Sequence, residues 1–63
     1  MIWHLAFERI TKHASVGGGS VNLWCVRDEA GQIVGSSVSK QEAIHMAKMR
    51  AWELGINVEI KSD

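Results

Sequence analysis

The segment from Ser39 to Gly55 constrains this chain more than any other. Lys40 to Leu54 contains neither glycine nor proline, and its Ala, Met, Lys, Arg, Glu and Leu residues are good helix formers. Ser39 followed three residues later by Glu42 has the spacing of a capping box, in which the Ser hydroxyl accepts from the Glu42 N–H. Val38 packing on Ala43 would add a hydrophobic staple. Gly55 can take the left-handed conformation that closes a helix. At about 100° per residue, Ala43, Ile44, Ala47, Ala51 and Leu54 share one stripe. The alanines in it let the helix sit close against a sheet.

The same helix carries a second apolar stripe. His45, Met49 and Trp52 follow one another at i, i+4 and i+7, with Met46 at the edge and Glu42 and Glu53 close by. Two readings are open. Trp52 can fold over the sheet edge with Met49 filling a gap, since scattered exposed apolar groups are normal. Alternatively the stripe is a hot spot, where Trp anchors and Met adapts to a partner's surface.

The remaining elements read as strands. Ile2 to Thr11 begins without a helix cap and alternates with period two, Trp3, Leu5 and Phe7 on one face and His4, Ala6 and Glu8 on the other. Helix is the competing assignment for Leu5 to Lys12. Lys12 to Ser20 is a loop around Gly17, Gly18 and Gly19. No Lys-Ser/Thr and helix start follow, as a phosphate-cradling loop requires. A plain flexible loop and a hairpin tip that orders on a partner both fit. Val21 to Arg27 carries apolar groups on both faces and reads as a central strand. Asp28 to Gly31 is a tight turn with Gly31 at positive φ. Gln32 to Val38 is a third strand whose Gly35-Ser36-Ser37 half marks a bulge or a close approach of another chain. Ile56, Val58 and Ile60 alternate with Asn57, Glu59 and Lys61 as a half-buried last strand.

The expected fold is thus α+β: β-β-β-α-β over residues 1–63 as a single small domain. A single antiparallel sheet carries one helix on one face. The strand beside which the last strand lies does not follow from the pattern. The expected core is Trp3, Leu5, Phe7, Ile44, Ala47, Leu54, Val58 and Ile60.

Chemistry is sparse. Lys plus Arg and Asp plus Glu are seven each, giving no net charge, which argues against a large phosphate footprint. Cys25 is the only cysteine; it lies in an apolar strand and reads as a buried inert thiol in a reducing, cytoplasmic compartment. His4, His13 and His45 lack metal-pair spacing, and no Ser-His-Asp or Cys-His pattern is visible. No catalytic residue, metal or cofactor is expected, and no enzyme activity. No signal peptide or membrane span is evident.

From Trp24 onward the chain resembles an uncharacterised family of very short bacterial and phage proteins with a β-β-α-β core. The resemblance spans residues 22–61. It is carried by Trp24-Cys25-Val26, the polar turn from Asp28 to Gly31, the serines before Ser39, Glu42-Ala43-Ile44, Ala47 and Ala51, and Val58-Glu59-Ile60. The layout is also similar to the small inhibitors of host RNA polymerase made by phages. The second helix stripe, the glycine loop and the sparse chemistry point to a non-enzymatic protein-binding module. The likeness in layout to the phage inhibitors adds the expectation of a phage or mobile-element factor that inhibits or redirects a host protein or defence complex, while the uncharacterised family implies no activity. The expected partner surface is His45, Met46, Met49 and Trp52, with Gly17, Gly18 and Gly19 as a loop candidate. One alternative is a small nucleic-acid-binding regulator using a sheet face, with Arg9, Lys12 and Arg27 grouped at one end. Another is a homodimer paired through strand edges or Trp52.

Overall fold

The computed structural model describes residues 1–11 and 19–62. β1 (Ile2–Thr11), β2 (Ser20–Arg27), β3 (Ile33–Ser37), α1 (Lys40–Leu54) and β4 (Glu59–Ser62) follow in that order. The strands form one sheet in the order β3-β2-β1-β4. β1 pairs antiparallel with β2, Leu5 opposite Val26 and Phe7 opposite Trp24. β2 pairs antiparallel with β3. The sheet is mixed rather than wholly antiparallel as expected, because β4 runs parallel to β1 with Trp3 opposite Ile60. The physical reason is the crossover. α1 carries the chain back along the sheet, so the strand after it must run in the direction of β3, and it docks on the free side of β1. Glu59 N–H donates to the Met1 carbonyl at 2.9 Å, which starts that pairing. Ile56 and Val58, expected within the strand, precede it but still pack against the core.

The β2–β3 turn is built by Asp28. Its carboxylate accepts from the backbone N–H groups of Ala30 (3.0 Å) and Gln32 (2.9 Å), while Gly31 N–H donates to the Asp28 carbonyl. Gly31 adopts φ +84°, as a short hairpin loop ending in a left-handed residue needs.

α1 ends as the sequence implies. Gly55 has φ 69°, its N–H donates to the Trp52 carbonyl, and Ile56 N–H donates to the Ala51 carbonyl, a Schellman closure. The start differs from expectation. Ser39 is the N-cap in an extended conformation but its side chain makes no capping hydrogen bond; instead its N–H donates to the Ser37 hydroxyl at 3.2 Å. The first helical bond runs from Ala43 N–H to the Ser39 carbonyl. The capping box is therefore unused.

The helix buries its smallest side chains: Ala43, Ala47 and Ala51. Ala43 and Ala47 lie over Gly35, whose missing side chain lets the two backbones come together. A Cβ at Gly35 would stand 2.8 Å from the Ala43 carbonyl oxygen and 2.9 Å from the Ala47 nitrogen. The close approach anticipated at this glycine is that of the chain's own helix. The β2–β3 register also shifts at Val26/Arg27, the bulge that the small residues allow. Because the obstructing atoms are helix backbone, Gly35→Ala can be accommodated only by moving α1. We expect it to cost about 1–3 kcal/mol, as overpacking does, read as a lowered midpoint of urea unfolding. An unchanged midpoint would mean that α1 is not seated this closely.

The buried core is Trp3, Leu5, Val26 and the three alanines, with Trp24, Val34, Ile44, Ile56, Val58 and Ile60 packed around it. Two expected members are not in it. Phe7 is 57% exposed and Leu54 56%. β1 and β2 run on past the end of β3: Trp24 pairs with Ser37, where β3 stops and α1 is about to begin. Phe7, opposite Trp24, therefore sits at the limit of what the helix covers. Leu54 is the last helical residue and overhangs a shallow depression bordered by Met1, Trp3 and Ile56.

Candidate functional site

Three surfaces are left by this packing. The first is the outer side of α1. With the alanines against the sheet, the helical period turns His45, Met49 and Trp52 roughly to the opposite side. Trp52 is 79% exposed, Met46 43% and Met49 46%, and His45 is exposed as well. At that exposure Trp52 is not a core side chain; it borders a shallow depression with Lys48, Ala51, Ile56, Asn57 and Val58, the last three leading into β4. Beside this stripe, Val34, His45, Met46, Met49, Arg50 and Glu53 line an open depression between helix and β3. Of the loop candidates, Gly17 and Gly18 lie outside the described residues, as do Lys12 and His13. Gly19 is exposed, and a Cβ there would meet nothing within 4 Å.

The second surface is the sheet face away from the helix. Arg27 donates from Nε and Nη2 to the Glu8 carboxylate at 2.9 and 2.8 Å, and from Nη1 to the Gly31 carbonyl at 2.6 Å. Glu8 stands level with Leu23 and Arg27 level with His4, so the ion pair crosses the intervening Ala6–Cys25 level. Cys25 is fully buried although no helix among the described residues covers this face. Burial, then the Glu8 charge, push its thiol up, with Arg27 opposing in part. A protonated, covered thiol is a poor nucleophile. Of the anticipated grouping, Lys12 lies outside the described residues, and Arg9 and Arg27 do not come together. Alternation puts Arg9 on the helix-side face and Arg27 on the other, and Arg27 is engaged by Glu8.

That ion pair gives a pH signature. The hydrogen bond from Arg27 is the main cause holding the Glu8 carboxyl below its usual range, against a partial opposing cost of burial. A depressed carboxyl contributes stability above its unfolded pKa and loses it as pH falls through the folded value. Glu8→Gln should therefore melt below the parent at pH 7. The gap should close as pH drops below about 4. A gap independent of pH would show that the charge of Glu8 is immaterial.

The third surface was not foreseen. Phe7 and Trp24 form a cross-strand aromatic pair, centroids 5.1 Å apart and planes tilted by 55°. Lys40 stands with Nζ 5.4 Å from the Trp24 ring centroid. Lys40 lies three residues before Ala43, so it extends the buried stripe past the end of β3 and onto Trp24. Arg9, two residues beyond Phe7, shares this face with Asn22 opposite it.

Among the described residues, no group of three or more His, Cys, Asp or Glu is placed to hold a metal ion. Among the described residues, no helix is long and apolar enough to cross a membrane. No family model matches the chain, and neither does any curated protein or solved structure.

Proposed function

We propose that this chain is a protein-binding module whose docking surface is the outer side of α1. The single observation that supports this most is the inversion of the helix. It spends alanines on the core and leaves Met46, Met49 and Trp52 in solvent. A helix kept only for its own fold gains nothing from an exposed Trp, whereas Trp and Met at helical spacing are what a groove-binding or groove-lined partner engages. The partner as a host protein, bound by a phage or mobile-element factor that inhibits it, is the narrower proposal; it rests on small size, sparse chemistry and a layout similar to that of the phage inhibitors of host RNA polymerase. Cytoplasmic residence rests on the lone cysteine.

The test is paired capture. The parent chain and Trp52→Ala are immobilised side by side, and a protein retained by the parent and released by the variant is identified by mass spectrometry. Sedimentation equilibrium of the same two proteins covers self-association: a parent that dimerises and a Trp52→Ala that does not would make the partner a second copy. Identical retention and identical mass for both proteins would refute the helix stripe as the docking surface.

A further inference from the structure

We propose that the Phe7–Trp24 shelf is a stacking platform for the bases of single-stranded nucleic acid, distinct from the helix stripe. The geometry carries it. The Phe7 ring is 57% exposed on a sheet face and is braced from one side by Trp24 at 5.1 Å. Bracing matters because a ring held in place loses little freedom when a base settles on it. Stacking on a fixed aromatic is sequence-tolerant, since every base has a π-face.

Charge selects the ligand. The helix-side positions around the shelf are Arg9 on β1, Asn22 on β2 and Ser37 on β3, with Lys40 at the start of α1. None is a carboxylate. Glu42, two residues after Lys40, points about 160° away from it around the helix, taking 100° per residue, and Glu8 is on the opposite sheet face in its pair with Arg27. An exposed aromatic ring with one cation two residues along its strand and another over its Trp24 neighbour, and neutral hydrogen-bonding groups on the same face, complements an unstacked base and its flanking phosphates. A duplex offers no free base face at such a shelf. A chain with no net charge has little to gain from the phosphate backbone alone, so affinity must come from the stack.

Fluorescence anisotropy of a labelled dodecameric oligothymidylate tests this, with the duplex of the same length as comparator. The single strand should bind and the duplex should not. Oligouridylate should bind comparably, because stacking does not read the 2′-hydroxyl; a preference for either would identify RNA or DNA as the source. Phe7→Leu keeps an apolar side chain but removes the flat ring, and should weaken binding by about 5- to 150-fold, the range of one base–aromatic stack. Phe7→Tyr, which retains the ring, should bind like the parent. Two phosphate contacts predict a log–log salt slope of about −1.4, falling to about −0.7 in Arg9→Gln. Trp52→Ala should leave oligonucleotide binding intact, so failure of this proposal and failure of the helix-stripe reading are separable. Equal affinity of single strand and duplex, or a Phe7→Leu protein that melts like the parent and binds as tightly, would overturn it.

Discussion

Leu5→Ala should bring this domain close to unfolding at room temperature, while Phe7→Ala should leave it folded. The two residues lie on the same strand face, two positions apart, yet Leu5 is 1% exposed and Phe7 57%. Leu5 stands opposite Val26, itself fully buried, beneath the alanine stripe of α1. Truncating it removes buried methyl groups and leaves a cavity, at a cost of about 2–5 kcal/mol. At about 0.05–0.15 kcal/mol per residue, a chain of this length has only about 3–9 kcal/mol in total, with no disulfide to supplement it. Phe7→Ala loses the tilted contact with Trp24, about 0.5–1.5 kcal/mol, and only the covered part of a residue that is 57% exposed, with no enclosed cavity left behind. Thermal melts of both variants decide the matter. Equal losses would show that the helix covers the hairpin further along than Phe7.

That contrast also marks how far the sequence can be read. Strand periodicity put Trp3, Leu5 and Phe7 on one face, and they do share it. Periodicity does not say where along a strand the covering helix ends. That limit is set by the length of β3 and the register of β2 against it, Trp24 opposite Ser37, and register depends on turn conformation and on the shift at Val26/Arg27. The aromatic shelf was missed for the same reason. Phe7 and Trp24 are 17 positions apart and meet only through the β1–β2 register, and Lys40 joins them only once the helix is seated. The helix itself was legible, Lys40–Leu54, because composition, a stop at Gly55 and a small-residue stripe all agreed. Its capping box was over-read. Ser39 sits at the N-cap, but the tight Ser37–Ser39 exit from β3 engages its N–H and leaves its hydroxyl unused as a cap. The direction of β4 follows from the crossover; its place beside β1 depends on the free edge there, which no local pattern encodes.

Trp52→Ala should separate folding from function most sharply. At 79% exposure the indole contributes little to the native state, so the melting temperature should stay within a few degrees of the parent; about 1 kcal/mol shifts a domain of this size by 4–8 °C. Affinity for a partner that covers the helix should behave differently. A Trp buries about 150–250 Å² when enclosed, and truncating an aromatic anchor at the centre of an interface costs 2 kcal/mol or more, about 30-fold in Kd. Met49→Ala should act in the same direction with smaller effect, because a flexible thioether fills space without anchoring. Ala47 lies on the opposite, buried side, so enlarging it should damage stability first and binding only through unfolding. Measuring melting temperature and partner affinity on one preparation of each variant sorts the two sides of α1. A Trp52→Ala protein that unfolds, or one that binds the partner as tightly as the parent, would remove the helix stripe from consideration and leave the Phe7–Trp24 shelf as the surface to pursue.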